Sequence, residues 1–333
     1  MTIKELAREL EMSATTVSRV LTGQEKKYRI SDKTAQRVRE MANQLDFAPN
    51  QIARNLRLQK TNTIGLVIPN ISNPFFANLA RTVEEELRNR GKMVLLCDSK
   101  DDTRIEEESV QLLLSRKVDG LLVAPVGEKW VHLQKKVTVP MVLLDRYFEN
   151  EDLPFVTTDN FFGAYEATSF LIEKGHRNIA CIQGLTGTTP NEHRVKGYQS
   201  AMQNHGLGQR LRITGSDYSM SNGYESTKEL IARADTPTAL FALNNQIAVG
   251  CMKALKEYDF SIPDKISLIA FDDQPYFELL SPSLTAIKQP MEGIGKVAVA
   301  SLFELMDNKK VAPQMLKPML IERDSVAPIP QKT

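Results

Sequence analysis

Cysteine, tryptophan and net charge are all scarce in this chain of 333 residues. Three cysteines (Cys97, Cys181, Cys251) lie far apart, each in an apolar segment and without CxxC spacing. That excludes a disulfide scaffold and a thiolate metal site, and predicts buried, reduced thiols of a cytoplasmic protein. No apolar run is much longer than Met93–Cys97, five residues, against the roughly 20 a membrane span needs. The opening MTIKELAREL carries a charge every few residues, so it does not read as a signal peptide. With 42% hydrophobic and 25% charged residues, neither a disordered nor a collagen-like chain fits. The length predicts two or three domains.

The net charge of +1 conceals an uneven distribution. Residues 1–60 hold 12 Lys and Arg against 7 Asp and Glu, and the remaining 273 hold 30 against 34. A small basic head on a mildly acidic body suggests a polyanion-binding module joined to something else.

The head is more than a charge. Ile3–Leu10 has helical spacing of apolar residues (Ile3, Leu6, Ala7, Leu10), with Thr2 and Glu5 at capping-box spacing. Ser13 caps a second helix, Ala14–Leu21, whose apolar side is Val17, Val20 and Leu21. Ser31 caps a third, closed by Ala35, Val38, Met41, Ala42 and Leu45. Two short helices and a tight turn are compatible with any small bundle, or with a helix-turn-helix. The outward residues of the second helix, Thr15, Thr16, Ser18 and Arg19, favour the latter. Short hydroxyls suit phosphates, and a guanidinium suits a guanine edge.

Beyond Thr63, apolar strand-like runs alternate with helical patterns: Ile64–Ile68, Met93–Cys97, Gly120–Ala124, Met141–Leu144, Ile179–Gln183, Ala239–Leu243 and Ile266–Phe271. The expected class is α/β, with parallel sheets covered by helices. Ligands in such folds bind beyond the strand ends. There is no GxGxxG after the first strand, and Gly293-Ile294-Gly295-Lys296 lacks the flanking residues of a P-loop. It reads instead as a helix start packing through Ile294, Val297 and Ala298. His132, His176, His193 and His205 have no metal-ligand spacing and adjoin no nucleophile motif. His176 reads as a helix C-terminal cap. These observations point away from an enzyme and call for no cofactor and no metal.

The segments TIKELARELEMSATTVSRVLTG, FAPNQIARNLR, TIGLVIPNISNPFFA, VDGLLVAPV, VTTDNFFGAY, LIEKGHRNIACIQG, RVKGY, PTALFALNNQIAVG, IPDKISLIAFDD and LTAIKQP resemble, in order and spacing, the lactose-repressor (LacI/GalR-type) family of bacterial transcription regulators. The resemblance spans essentially the whole chain. It implies a helix-turn-helix head at 1–48, a hinge helix and linker at 49–61, and an effector-binding, dimerising body at 62–333. The body has two lobes like those of periplasmic sugar-binding proteins, each a doubly wound parallel sheet. Lobe one covers about 62–158 and 288–318, lobe two about 159–285 and 319–333, with crossings near Thr158, Leu284–Lys288 and Pro318. A repressor acting as a homodimer on pseudo-palindromic operator DNA is implied, released or recruited by a sugar-like effector.

Carried over residue by residue, the resemblance puts Ser13, Ala14, Thr15, Thr16, Ser18 and Arg19 on DNA. It adds Asn50, Arg54 and a minor-groove wedge, Leu56, from the hinge. By the strand-end rule, Asn73 and Phe75 after the first strand, Asp145 after Met141–Leu144 and Asn245 after Ala239–Leu243 are pocket candidates, together with Arg194, Tyr218 and Gln289, and the resemblance implies the cleft for all seven. The alternatives are an interlobe ion pair for Asp145 and Arg194, and ordinary core for Phe75 and Tyr218. The chain departs from the family at Glu11, a turn position usually held by glycine and therefore expected at φ > 0. QEKKYRISDKT is about three residues longer than usual, Ala14 is small, and Asn245 replaces a common aspartate. The last change predicts a sugar acid or sugar phosphate as effector, since an amide beside Arg194 leaves one carboxylate fewer; a neutral sugar is the alternative. A sugar-transport component and a small-molecule enzyme are the competing classes. The ending SVAPIPQKT offers no heptads, so a dimer held by Phe76–Arg90 and neighbouring helices is expected rather than a tetramer.

Overall fold

The computed structural model describes residues 2–47, 60–127, 137–149 and 151–329. Two units result, Met1–Asn62 and Thr63–Thr333. The hinge residues Asn50, Arg54 and Leu56 lie outside the described residues, as does His132.

In the head, α1 (Ile3–Glu9) starts at Thr2. The Thr2 hydroxyl accepts from the Glu5 amide while the Glu5 carboxylate accepts from the Thr2 amide, which satisfies two otherwise orphaned donors. Helices α2 (Ala14–Leu21) and α3 (Asp32–Gln44) are capped by Ser13 and Ser31, whose hydroxyls accept from the Thr16 and Thr34 amides. Leu6, Ala7, Leu10, Val17, Val20, Ala35, Val38 and Ala42 form the core. Leu45 does not close it: it is the C-cap residue of α3 and is 38% exposed, because Phe47 folds back onto the core in its place. Glu11 takes φ +55° in the turn between α1 and α2.

The body begins with β1 (Thr63–Ile68), α4 (Pro74–Asn89), β2 (Met93–Asp98), α5 (Thr103–Ser115), β3 (Gly120–Val123), β4 (Met141–Leu144) and β5 (Phe155–Thr158). Then follow α6 (Asn160–Glu173), β6 (Ile179–Ile182), α7 (Thr189–Asn204), β7 (Ile213–Thr214), α8 (Met220–Ile231), β8 (Ala239–Ala242), α9 (Asn245–Glu257), β9 (Ser267–Phe271) and β10 (Thr285–Lys288). Helix α10 (Met291–Met306), β11 (Gln314–Leu316) and β12 (Met319–Ile321) complete it.

Two sheets form, ordered β11-β5-β4-β3-β1-β2 and β12-β10-β9-β8-β6-β7. All their pairings are parallel except that of β10 with β12. Each sheet is covered on both faces, which is why its central strands are continuous apolar runs rather than alternating ones. In β1, Ile64, Leu66 and Ile68 face α4 and α10, while Val67 faces α5. The second sheet packs likewise between α6 and α7 on one side and α8 and α9 on the other.

The chain passes between sheets after Thr158, after Lys288 and between Leu316 and Met319. The second passage falls later than the 284–288 expectation, because the whole of β10 pairs in the second sheet. Strand β2 departs from its expected burial. As an edge strand it leaves Met93 63%, Leu96 42% and part of Leu95 exposed, and Cys97 is only half-buried. Cys181 and Cys251 are buried, and burial pushes the Cys251 thiol up to about 12. His176 is not a helix cap by its side chain. It is buried, with Nδ1 3.0 Å from the Thr238 hydroxyl and Nε2 3.1 Å from the Ala327 carbonyl, tying three segments together.

Candidate functional site

Two surfaces concentrate polar groups that the fold itself does not require. The first is the outward side of α2. Ser13 is largely engaged as N-cap, its oxygen accepting from the Thr16 amide and lying 2.8 Å from the Thr16 hydroxyl. Thr15 is exposed, while Ala14, Thr16, Ser18 and Arg19 are partly buried. Arg19 is not the freely exposed cation expected of it. Its guanidinium carbon sits 3.7 Å above the centre of the Tyr28 ring.

The second is a cavity of about 520 Å³ between the two sheets of the body. Strand ends build it. Beyond β1, Asn73 caps α4, its Oδ1 accepting from the Phe75 amide at 3.0 Å. This turn brings Phe75 and Phe76 edge-to-face at the cavity wall, ring centres 5.0 Å apart. Beyond β4 and β9 stand Asp145 (φ +58°) and Asp272 (φ +73°). Left-handed backbone is uncommon for a residue with a Cβ, though aspartate tolerates it better than most. Here it bends the chain directly after a strand, and both carboxylates line the cavity.

Arg194, on α7, is nearly fully buried. Its Nε donates to Asn160 Oδ1 at 2.8 Å, one terminal nitrogen donates to the Leu243 carbonyl at 2.6 Å, and another lies 3.6 Å from Asp272. Stacking on Phe271 at 3.7 Å fixes its plane. Arg146 faces it from the other lobe, paired with Asp101 at 3.1 Å. Asp145 Oδ1 has no hydrogen-bond partner although the atom is buried. Burial pushes this carboxyl up from 3.8 to about 6, with Arg194 and Arg146 opposing the rise and Asp272 adding to it. Asp272 is raised by burial as well.

Tyr218 borders the cavity, its hydroxyl 3.1 Å from that of Thr188. Gly184 makes room for this ring: a Cβ there would come within 2.0 Å of it. Gln289 lies in the second passage, donating to Asp272 and accepting from the Thr158 hydroxyl at the end of β5. Near the mouth, the Tyr147 amide donates to the Thr189 hydroxyl (3.1 Å) and His193 Nε2 lies 2.8 Å from Glu149, joining the two lobes.

Six of the seven expected cleft residues thus meet around one cavity. Asn245 is the exception. Asn244 takes the N-cap of α9 and lines the cavity. Asn245, one residue into the helix, is fully buried, its amide nitrogen 3.4 Å from Asn73 Oδ1 and its oxygen accepting from the Gln246 amide. Because Asn245 does not line the cavity, its amide gives no basis for choosing between an anionic and a neutral effector. Sequence reasoning missed Asp272, Arg146, Phe76 and Asn244. Asp272 was within reach, since it directly follows the run Ile266–Phe271 and obeys the strand-end rule that selected Asp145.

Among the described residues no group of His, Cys, Asp and Glu could hold a metal ion, and no helix is long and apolar enough to cross a membrane.

Residues 2–50 match the bacterial regulatory proteins of the lacI family, and residues 168–326 match a periplasmic binding protein-like domain. The chain is 32% identical, over 334 aligned positions, to the ribose operon repressor of Escherichia coli K12, covering 97% of this chain and 99% of that protein. A LacI family transcriptional regulator from Enterococcus faecium, solved with bound ribose, is 29% identical with a TM-score of 0.73, over 80% of this chain and 100% of that one. The lac repressor dimer bound to operator and an anti-inducer shares the fold over 98% of this chain and 99% of its own, with a TM-score of 0.88 at 23% identity.

Proposed function

Because the chain belongs to the LacI family of bacterial regulatory proteins and is a DNA-binding transcriptional repressor, we propose that a small neutral sugar, bound between its lobes, controls its hold on operator DNA. The observation that carries this reading is the buried, unpartnered Oδ1 of Asp145 at a cavity of about 520 Å³. A carboxylate oxygen without a donor is stabilised by a ligand hydroxyl, and repels a ligand carboxylate or phosphate. The two guanidiniums already have anionic partners, Arg194 in Asp272 and Arg146 in Asp101. Phe75 and Phe76 supply flat apolar walls for C–H faces, the usual complement to a few placed polar groups. The ribose bound by the Enterococcus faecium relative supports a pentose as the first candidate.

Lobe closure on the sugar would alter how two heads are presented to a two-fold operator. In this reading Ser13, Ala14, Thr15, Thr16, Ser18 and Arg19 face the major groove, while Asn50, Arg54 and Leu56 act at the minor groove. The dimer forms through β2 and α5 rather than α4. The apolar residues of α4 (Phe76, Leu79, Val83, Leu87) are committed to the core, and its outward side carries the pairs Arg81–Glu85 and Glu84–Arg88. Met93, Leu95 and Leu96 on β2, and Leu112 on α5 (52% exposed), form the apolar surface available to a second copy.

Calorimetric titration with pentoses, hexoses, their sugar acids and their phosphates tests the effector class. A neutral sugar should bind tightest, and its addition should change operator affinity in a gel shift. An acid or phosphate binding more tightly than every neutral sugar would overturn the assignment.

A further inference from the structure

The loop joining α2 to α3 is a folded shelf. The Tyr28 amide donates to the Gln24 carbonyl at 3.2 Å and the Ile30 amide to the Glu25 carbonyl at 2.9 Å, with Arg29 at φ +54°. Glu25 is ion-paired to Arg39 of α3, and Ile30 packs against the head core. Anchored at both places, the loop holds the Tyr28 ring out from the core, 41% exposed. What the ring meets there is Arg19: guanidinium carbon to ring centre is 3.7 Å, with Lys27 Nζ farther off at 5.9 Å.

Stacking and hydrogen bonding use different parts of a guanidinium. The ring holds one face, while the donors lie in the plane and stay available. Among the described residues the Arg19 guanidinium makes no hydrogen bond and no ion pair, so that edge remains free. An arginine loose on a helix surface loses considerable side-chain entropy on binding; one already held flat loses less. Lys26, Lys27 and Arg29, all exposed, give the shelf a positive charge suited to a phosphate backbone.

We propose that Tyr28 is a positioning residue for operator recognition, a platform that presents Arg19 to a guanine edge. This rests on the reading that Arg19 contacts bases. The stacking makes Tyr28 and Arg19 one energetic unit, so their substitutions are non-additive.

The test uses the full chain and a duplex recovered by wild-type protein from a randomised pool, with binding followed by fluorescence anisotropy. Tyr28→Leu should weaken binding about twofold to fivefold, the span of an exposed cation–π contact, and flatten the preference at one symmetric base pair. Tyr28→Phe keeps the ring and should stay near wild type. In an Arg19→Ala background, Tyr28→Leu should change nothing further. Equal losses in both backgrounds, or no loss from Tyr28→Leu while Arg19→Ala alone shifts base preference, would overturn the proposal and leave the Arg19 reading standing. If Arg19→Ala itself left base preference intact, that reading would fall and the platform with it. Melting curves of each variant show whether the head is still folded.

Discussion

Replacing Asp145 with asparagine keeps the shape of the side chain and removes its charge, and two opposite effects should follow. The cleft holds this carboxyl buried, with one oxygen unpartnered and its pKa raised from 3.8 to about 6. That gap corresponds to about 3 kcal/mol by which the native state disfavours the ionised form at neutral pH. Asparagine avoids much of it, so the variant's body should melt about 2–8 °C higher at pH 7 to 8, allowing for an imperfectly satisfied amide. The sign fixes the pH window. A carboxyl raised in the fold penalises stability fully above its folded pKa, and the penalty fades as pH falls through about 6 toward 3.8. The advantage of the variant should therefore shrink through that range.

The effector should respond the other way. Losing a charged acceptor for a buried hydroxyl costs about 1.5–3 kcal/mol, a tenfold to hundredfold loss of affinity. Melting curves between pH 4.5 and 8, with and without sugar, together with calorimetry, read both effects on one pair of proteins. A variant that melts no higher at pH 8, or binds the sugar as tightly as the parent, would refute the argument.

Burial holds the pKa of His176 below its ordinary value, so as pH drops below about 6.5 the unfolded chain takes up a proton that the native imidazole resists. Stability should fall with pH on this account, and His176→Gln should show a shallower decline between pH 7 and 5.5 in thermal melts. A parallel decline would contradict it. Leu96→Glu on β2 should raise the dimer dissociation constant at least tenfold in sedimentation velocity, with little change in melting temperature of the isolated subunit, because this side chain is 42% exposed. An unaltered dimer would remove β2 from the interface.

Much of the fold was legible because it rests on local signals. Thr2, Ser13 and Ser31 announce their helices by cap chemistry, and the buried strands β1, β3, β4, β6, β8 and β9 announce themselves as unbroken apolar runs. Strands β11 and β12, three residues each, have no such signature, since their pairing depends on where the chain passes between sheets. Strand β2 reads like its neighbours, yet an edge position leaves it half uncovered. In the site, strand ends located Asp145 and Asn73, whereas the choice between Asn244 and Asn245 turned on which residue capped α9. A cap moves the facing side chain by one position, and adjacent asparagines hide that shift. The stacking of Arg19 on Tyr28 depends on a loop conformation that no periodicity encodes.

Gln289 joins the ligand cavity to the passages between lobes, holding Asp272 with one end of its amide and Thr158 with the other. Under the proposed function, recognition and switching therefore share atoms. A lineage that retailors this pocket for a different molecule cannot adjust selectivity alone, because the same substitutions reset the resting balance between open and closed lobes. New specificities in this scaffold should emerge alongside altered basal transcription. Compensating changes would then be sought along the passages rather than in the pocket.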